Sequence, residues 1–180
     1  MIRLENAKKY KKQIKNLYVT AFPKEERAPL FVLYHKAKKV ENNFYAIVED
    51  DEFAGLVYTI QDAGILYVFF FAIVEEKRGQ GYGSKVLSMI KEKYPNHIVT
   101  LMIEDTADKK ADNYEQRIQR LKFYQRNGFM QLHVGVNEMG VEYELLGTQE
   151  GVTQVDFLDL MRKYIGDVLF KFIYRKMKLK

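Results

Sequence analysis

Cysteine and tryptophan are both absent from this chain of 180 residues. Without cysteine there is no disulfide, no thiolate nucleophile and no cysteine metal site. Any acyl chemistry must therefore run directly or through another nucleophile. Proline is scarce, with three copies, and the three histidines (His35, His97, His133) lie far apart with no H-x-x-x-H pair. That spacing argues against a metal site. Long apolar runs are missing too. The longest mainly apolar stretch, residues 64–74, is well short of the roughly 20 residues that a membrane span requires. Residues 1–16 are polar and lysine-rich with no apolar signal-peptide region, so a cytoplasmic protein without a membrane span is expected.

What remains is the profile of a globular domain with a single buried core: 47% apolar and 29% charged residues, with 13 tyrosines and 12 phenylalanines. The net charge of +5 suits an anionic ligand. Much of the excess sits in two lysine-rich stretches, 8–15 and 171–180, so a nucleic-acid partner is not expected.

Tyr10, Ile14, Leu17, Tyr18 and Ala21 recur at helical spacing and predict a helix over 6–21. A second helix is expected over 27–40, with Pro29 in its first turn. The period then changes. Three strands are expected at 44–48, 53–60 and 65–74, joined by Glu49-Asp50-Asp51-Glu52 and Gln61-Asp62-Ala63-Gly64. Connections this short imply antiparallel neighbours, and the third strand, apolar on both faces, should be central. A helix from Gly81 to Pro95, a strand at 98–103, a helix at 112–127 closed by Gly128, and a hairpin at 130–145 through Asn137-Glu138-Met139-Gly140 complete the core. The expected fold is α+β, a mixed, mostly antiparallel sheet with helices on both faces. It occupies residues 1–148, followed by a C-terminal helical extension, 149–180. In the extension Thr153-Gln154-Val155-Asp156 reads as a capping box, and Phe157, Leu158, Met161, Tyr164 and Ile165 form an apolar stripe. The stripe calls for burial against the domain or a second subunit, as in a homodimer.

The most specific stretch is Arg78-Gly79-Gln80-Gly81-Tyr82-Gly83-Ser84, between an apolar strand and an amphipathic helix. Alternate glycines let the backbone turn tightly and approach a ligand, because no Cβ intervenes. Their amides then converge with the positive end of the next helix dipole, an arrangement that binds a pyrophosphate. Arg78 can add a charge-assisted contact. A P-loop is excluded, since Gly83-Ser84-Lys85 has the wrong residue order. A dinucleotide-binding turn built on Gly79, Gly81 and Ser84, with Glu104 as ribose acid, competes locally. It fails because three antiparallel strands precede the turn, whereas that fold places it after the first strand of a βαβ series.

With these residues in place the chain resembles the GNAT acetyltransferases. Arg78, Gly81 and Gly83 match the family's signature turn, although Glu75 stands where proline is common. Phe123-Tyr124-Gln125-Arg126-Asn127-Gly128-Phe129 matches its second motif, aromatic-Tyr-x-x-x-Gly-Phe. The resemblance covers about residues 1–147. It implies acetyl-CoA as acetyl donor and an N-acetyltransferase that acts on a small-molecule or peptide amine. By the same resemblance, the backbone of Phe71, Ala72 and Ile73 binds the pantetheine arm, and Arg78, Gly79, Gln80, Gly81, Tyr82, Gly83 and Ser84 hold the pyrophosphate. Tyr124 would protonate the departing thiolate. Glu104, after Ile103 at a strand end, resembles the general base of some relatives. Where many relatives carry a pantetheine-binding asparagine, this chain has Arg117. Arg117 and Arg120 are candidates for a CoA phosphate, an acidic substrate or a surface pair with Glu115. The alternative function is a non-catalytic CoA-binding or regulatory module.

Overall fold

The computed structural model describes residues 1–138, 141–174 and 177–179. Met139 and Gly140, half of the expected hairpin turn, lie outside the described residues. The chain forms two compact units, Met1–Gln61 with Val68–Pro95, and Asp62–Tyr67 with Asn96–Lys180.

The first unit holds β1 (Ile2–Asn6), α1 (Lys11–Ala21), α2 (Leu30–Lys36), β2 (Asn42–Glu49), β3 (Glu52–Asp62), β4 (Ile65–Ile73) and α3 (Tyr82–Lys93), with β3 and β4 each passing into the second unit. The expected helix over 6–21 is shorter than its pattern. Asn6 closes an unexpected strand, Ile2–Asn6, paired antiparallel with β2 from Ile2↔Glu49 to Asn6↔Tyr45, and a 3-10 turn, Ala7–Tyr10, separates it from α1. The acidic turn helps to fix it: the Met1 ammonium donates to Asp50 at 2.7 Å and Arg3 to Asp51 at 2.7 Å. Asp50 and Asp51 both have positive φ (49° and 68°), as do Ala63 (46°) and Gly64 (82°). Two successive positive-φ residues are what a tight antiparallel hairpin demands. Helix α2 is also shorter than expected, because Pro29 stands at its N-cap with extended ψ and not inside the first turn. The core gathers Ile14, Leu33, Ile47, Leu56, Tyr58, Val86 and Leu87. At Gly55 a Cβ would lie 2.3 Å from the Ala72 carbonyl oxygen, so only glycine permits β3 to come this close to β4.

The second unit holds β5 (Ile98–Glu104), α4 (Tyr114–Arg126), β6 (Met130–Glu138), β7 (Val141–Gly147), α5 (Gln154–Ile165), α6 (Asp167–Tyr174) and β8 (Met177–Leu179). Strands β6 and β7 form the expected antiparallel hairpin, with β5 antiparallel to β7 on the other side. Helix α5 opens on the expected capping box, Thr153 with Asp156. Its buried side chains are Phe157, Leu160 and Met161. Leu160 replaces Leu158 in the expected stripe. Phe157 packs edge-on against Tyr67, ring centroids 5.1 Å apart. The extension also contains an unexpected strand, β8, paired with β6 through Val136↔Leu179 and Glu138↔Met177.

The strand order is β1-β2-β3-β4-β5-β7-β6-β8. The sheet is mixed: β4 and β5 are parallel, and the other described ladders are antiparallel. The α+β class and the central position of β4 are as expected.

Candidate active site

The glycine turn lies within the first unit. After β4 a 3-10 turn, Glu75–Lys77, leads through Arg78 to Gly79 and Gly81, which have φ of +73° and +84°. Side chains other than glycine rarely adopt such values. Gly81 is the N-cap of α3, and no atom lies within 4 Å of where a Cβ would stand on either glycine. The space above the turn is therefore open to a ligand, and the first amides of α3 have no partner within their own helix. This chemistry fits a pyrophosphate.

Not every side chain of the motif faces that ligand space. Tyr82 is buried, its hydroxyl donates to the Glu49 carboxylate, and Lys77 Nζ lies 5.5 Å from its ring centroid. It anchors the turn to β2, and only its main chain is available for binding. Arg78 Nε donates to the Ile73 carbonyl at 3.1 Å, and Gln80 Nε2 to the Glu76 carbonyl at 2.7 Å. Both close the turn onto itself. Gly83 and Ser84 lie in the first turn of α3, half-buried.

Phe71, Ala72 and Ile73 end β4, each half-buried. Val74 N–H donates to the Ala54 carbonyl at 2.9 Å, on the β3 side. By strand alternation the amides of Ile73 and Phe71 point to the opposite edge. On that edge the parallel ladder to β5 consists of Ile65↔Ile98, Leu66↔Val99 and Tyr67↔Thr100. Among the described residues it runs no further, so Phe71 and Ile73 lie beyond its end.

The second unit brings together the end of β5 and helix α4. Glu104 accepts from Asn113 Nδ2 with both oxygens (2.9 and 3.1 Å) and from Arg120 Nη1 at 2.8 Å, and Arg117 Nη2 lies 3.2 Å from its Oε1. Arg117 is spent within this cluster: Nε donates to Asn113 Oδ1 at 2.8 Å and Nη1 to the Asp105 carbonyl at 2.9 Å. Its side chain is 11% exposed and that of Glu104 17%. Burial by itself would raise the Glu104 carboxyl, but the Asn113 and Arg120 hydrogen bonds and the two arginine charges outweigh it and hold it below the ordinary range. Arg117 and Arg120 thus pair with Glu104 and not with Glu115.

Tyr124 is half-buried one turn from the end of α4, its ring edge-on to Phe123 at 5.1 Å and to Phe129 at 5.7 Å. The Phe-Tyr-x-x-x-Gly-Phe motif has a local cause. Gly128 takes φ +80°, Asn127 and Phe129 N–H both return to the Tyr124 carbonyl, and the chain reverses to bury Phe129. Burial pushes the Tyr124 phenol up to about 12, with Arg120 pulling the other way. Arg120 lies one helical turn earlier on the same face. Sequence reading missed the shared part of Asn113, Glu104 and Arg117, because the three meet only when the loop 105–113 folds back.

An acetyltransferase (GNAT) domain model matches residues 28–131. Among curated proteins none matches the sequence significantly. The fold is similar to that of a protein described as a GNAT-family acetyltransferase from Bacteroides thetaiotaomicron. That likeness has TM-score 0.71 and 19% identity, covering 94% of this chain and 98% of that one. It is also similar to an aminoglycoside 6'-N-acetyltransferase complexed with coenzyme A (TM-score 0.63, 15% identity, 85% and 99% covered). A third likeness is to the ribosomal-protein-S18-alanine N-acetyltransferase of Escherichia coli (TM-score 0.61, 11% identity, 82% and 91% covered). With its motifs on the expected elements and more than half its length matched, the chain belongs to the GNAT acetyltransferase family, whose acetyl donor is acetyl-CoA.

Proposed function

We propose that this protein transfers the acetyl group of acetyl-CoA to a primary amine by direct attack in a ternary complex. The observation that carries this is the open, positive-φ glycine turn at the head of α3, following the strand end whose amides lie beyond the ladder. The turn, Arg78 to Ser84, takes the pyrophosphate on its amides. Phe71 and Ile73 extend the sheet by one strand's worth of hydrogen bonds to the pantetheine arm, with Ala72 between them. The Ile73 carbonyl already serves Arg78, which leaves its N–H as the contact.

In the chemical step the neutral amine nitrogen bonds to the thioester carbon and the carbon–sulfur bond breaks. The departing thiolate takes the phenolic proton of Tyr124, and the proton shed by the amine returns through solvent to the phenolate. A phenol near 12 is fully protonated at neutral pH, as a donor must be, yet it is a weaker acid than free tyrosine. The Arg120 charge favours the phenolate and offsets part of that burden. Glu104 as general base fits less well, since a carboxylate with three close donors and a lowered pKa has little basicity left. Its stronger part is to hold α4 on β5, and a water can serve the amine.

That same saturation favours a second reading, a module that binds acetyl-CoA without turnover. Amines of varied class, incubated with acetyl-CoA and followed by free-thiol release, separate the two. The absence of cysteine removes any background from the protein. Release with none of them, while calorimetry still shows acetyl-CoA binding, would favour the module. Residues 149–180 take part in folding and not in the chemical step in this proposal. Truncation after Gly147 removes Phe157, Leu160 and Met161 from the core and should yield insoluble protein.

A further inference from the structure

The segment between α1 and α2 holds an arginine, Arg27, whose buried Nε has no hydrogen-bond partner among the described residues. Pro23 and Pro29 bracket it, a 3-10 turn covers Lys24–Glu26, and the buried Tyr18 hydroxyl fixes it by donating to the Ala28 carbonyl at 3.0 Å. Arg27 stands between these two restraints. It is half-buried, and its Nε is shut off from solvent with no hydrogen-bond partner among the described residues. Glu25 and Glu26, just before it, lie exposed on the turn and neither accepts from that nitrogen. A guanidinium stays charged at all physiological pH, and a buried donor without an acceptor is costly enough to be rare in native folds. A loop tied down on both sides of an arginine in this state is suited to an acceptor that comes from outside the chain.

The surroundings narrow what that acceptor can be. Tyr18 and Phe22 both meet Phe70 edge-on, with ring centroids 5.0 Å apart in each case. Phe70 precedes Phe71, where the pantetheine arm is assigned, so the Arg27 loop is joined through Tyr18 to the thioester end of that assignment. The pyrophosphate of acetyl-CoA is assigned to the turn at 78–84, its other phosphate lies at the nucleotide end, and its thioester end carries no charge. An anion at Arg27 must then belong to the other reactant. Resting on the acetyltransferase reading above, we propose that Arg27 anchors a carboxylate on the acceptor, which is a small amine bearing a carboxylate away from the amino group. The planar fork of arginine matches a carboxylate's two oxygens, and the half-buried Phe22, backed by the buried Tyr18, offers apolar cover to the acceptor's carbon chain.

The test uses short ω-amino carboxylates and their matching carboxamides, in which the amine is far enough from the varied group to keep its own basicity. In the wild-type protein the carboxylates should exceed the carboxamides at least tenfold in kcat/KM, mainly through KM. Arg27→Gln should erase the preference with acetyl-CoA affinity unchanged, and Arg27→Lys should restore part of it. Arg27→Met keeps the stem without the charge and should behave as Arg27→Gln. Equal handling of the two series by wild type, or a preference that survives in Arg27→Gln, overturns the proposal. Calorimetry of the amino carboxylates against CoA-saturated protein reads the anchor without chemistry. Binding that is lost in Arg27→Gln supports it even if no thiol is released, an outcome that would count against acetyl transfer alone. No binding to wild type overturns it.

Discussion

The glycine turn and the Glu104 cluster are built on opposite principles. At residues 78–84, on the function proposed above, the main chain presents the binding groups, while the side chains of Arg78, Gln80 and Tyr82 turn back to hold the loop. At the junction of β5 and α4 the side chains of Glu104, Asn113, Arg117 and Arg120 form the structure, and the main chain serves mainly as scaffold. A backbone site depends on φ and on empty space, so it is broken by adding atoms. A side-chain cluster depends on matched charge, so it is broken by removing one partner.

Tyr124 stands outside both designs and gives the largest expected effect. Tyr124→Phe keeps the ring packing against Phe123 and Phe129 and removes the donor. A loss of roughly 10²-fold in kcat is expected, with acetyl-CoA affinity unchanged, in steady-state assays where chemistry limits the rate. Wild-type turnover across the pH range would reduce Tyr124 to a packing residue.

Gly81→Val attacks the backbone site. It forces a β-branched residue to φ +84° and puts its methyls into the open space proposed to take the pyrophosphate. Acetyl-CoA affinity should fall at least tenfold by calorimetry, with about 1–3 kcal/mol lost from the fold through strain. Unchanged affinity would remove the turn from the site.

Glu104→Gln attacks the cluster. It leaves Arg117, 11% exposed, with a neutral partner, and about 1–3 kcal/mol of stability should be lost in chemical denaturation. If kcat then falls tenfold or more with stability intact, Glu104 is a base after all.

The two titrations carry opposite signs. Glu104, with its pKa depressed in the fold, adds stability that is full above the unfolded value near ~4.3 and is lost as pH falls through the folded value. Tyr124, pushed up to about 12, adds stability that is full below ~10 and is lost as pH rises toward 12. Melting curves should show the acid-side loss reduced in Glu104→Gln and the alkaline-side loss reduced in Tyr124→Phe, each on top of the shares of the other shifted carboxylates and tyrosines. The smallest effect belongs to Arg78→Ala. Its Nε serves the Ile73 carbonyl, so a few-fold loss of acetyl-CoA affinity is expected where a direct phosphate ligand would cost more.

The same contrast explains what could be read from sequence. Glycines spaced between a strand and a helix state their own geometry, and the Gly128 cap explains the spacing from Tyr124 to Phe129. Glu104 could be singled out by position, but not its partners. Asn113, Arg117 and Arg120 reach it across a loop, whereas from sequence the arginines read as surface charges beside Glu115 or solvent. The edge strands β1 and β8 were illegible for a related reason. Each is short, and its pairing partner is distant in sequence, so local propensity carries little of the signal. In α5 the capping box was plain from four residues, whereas the burial of Leu160 in place of Leu158 depended on tertiary packing that the helical pattern alone does not fix.

The brief ladder between β4 and β5 has a consequence for isotope labelling. Amides held by a ladder exchange with deuterated solvent only when the strand opens, whereas those past its end have no such protection. In the ligand-free protein the Phe71 and Ile73 amides should therefore exchange far sooner than amides within the ladder. Acetyl-CoA would retard them as an added strand would, so the ligand would be recorded in the labelling pattern as missing secondary structure supplied by a small molecule.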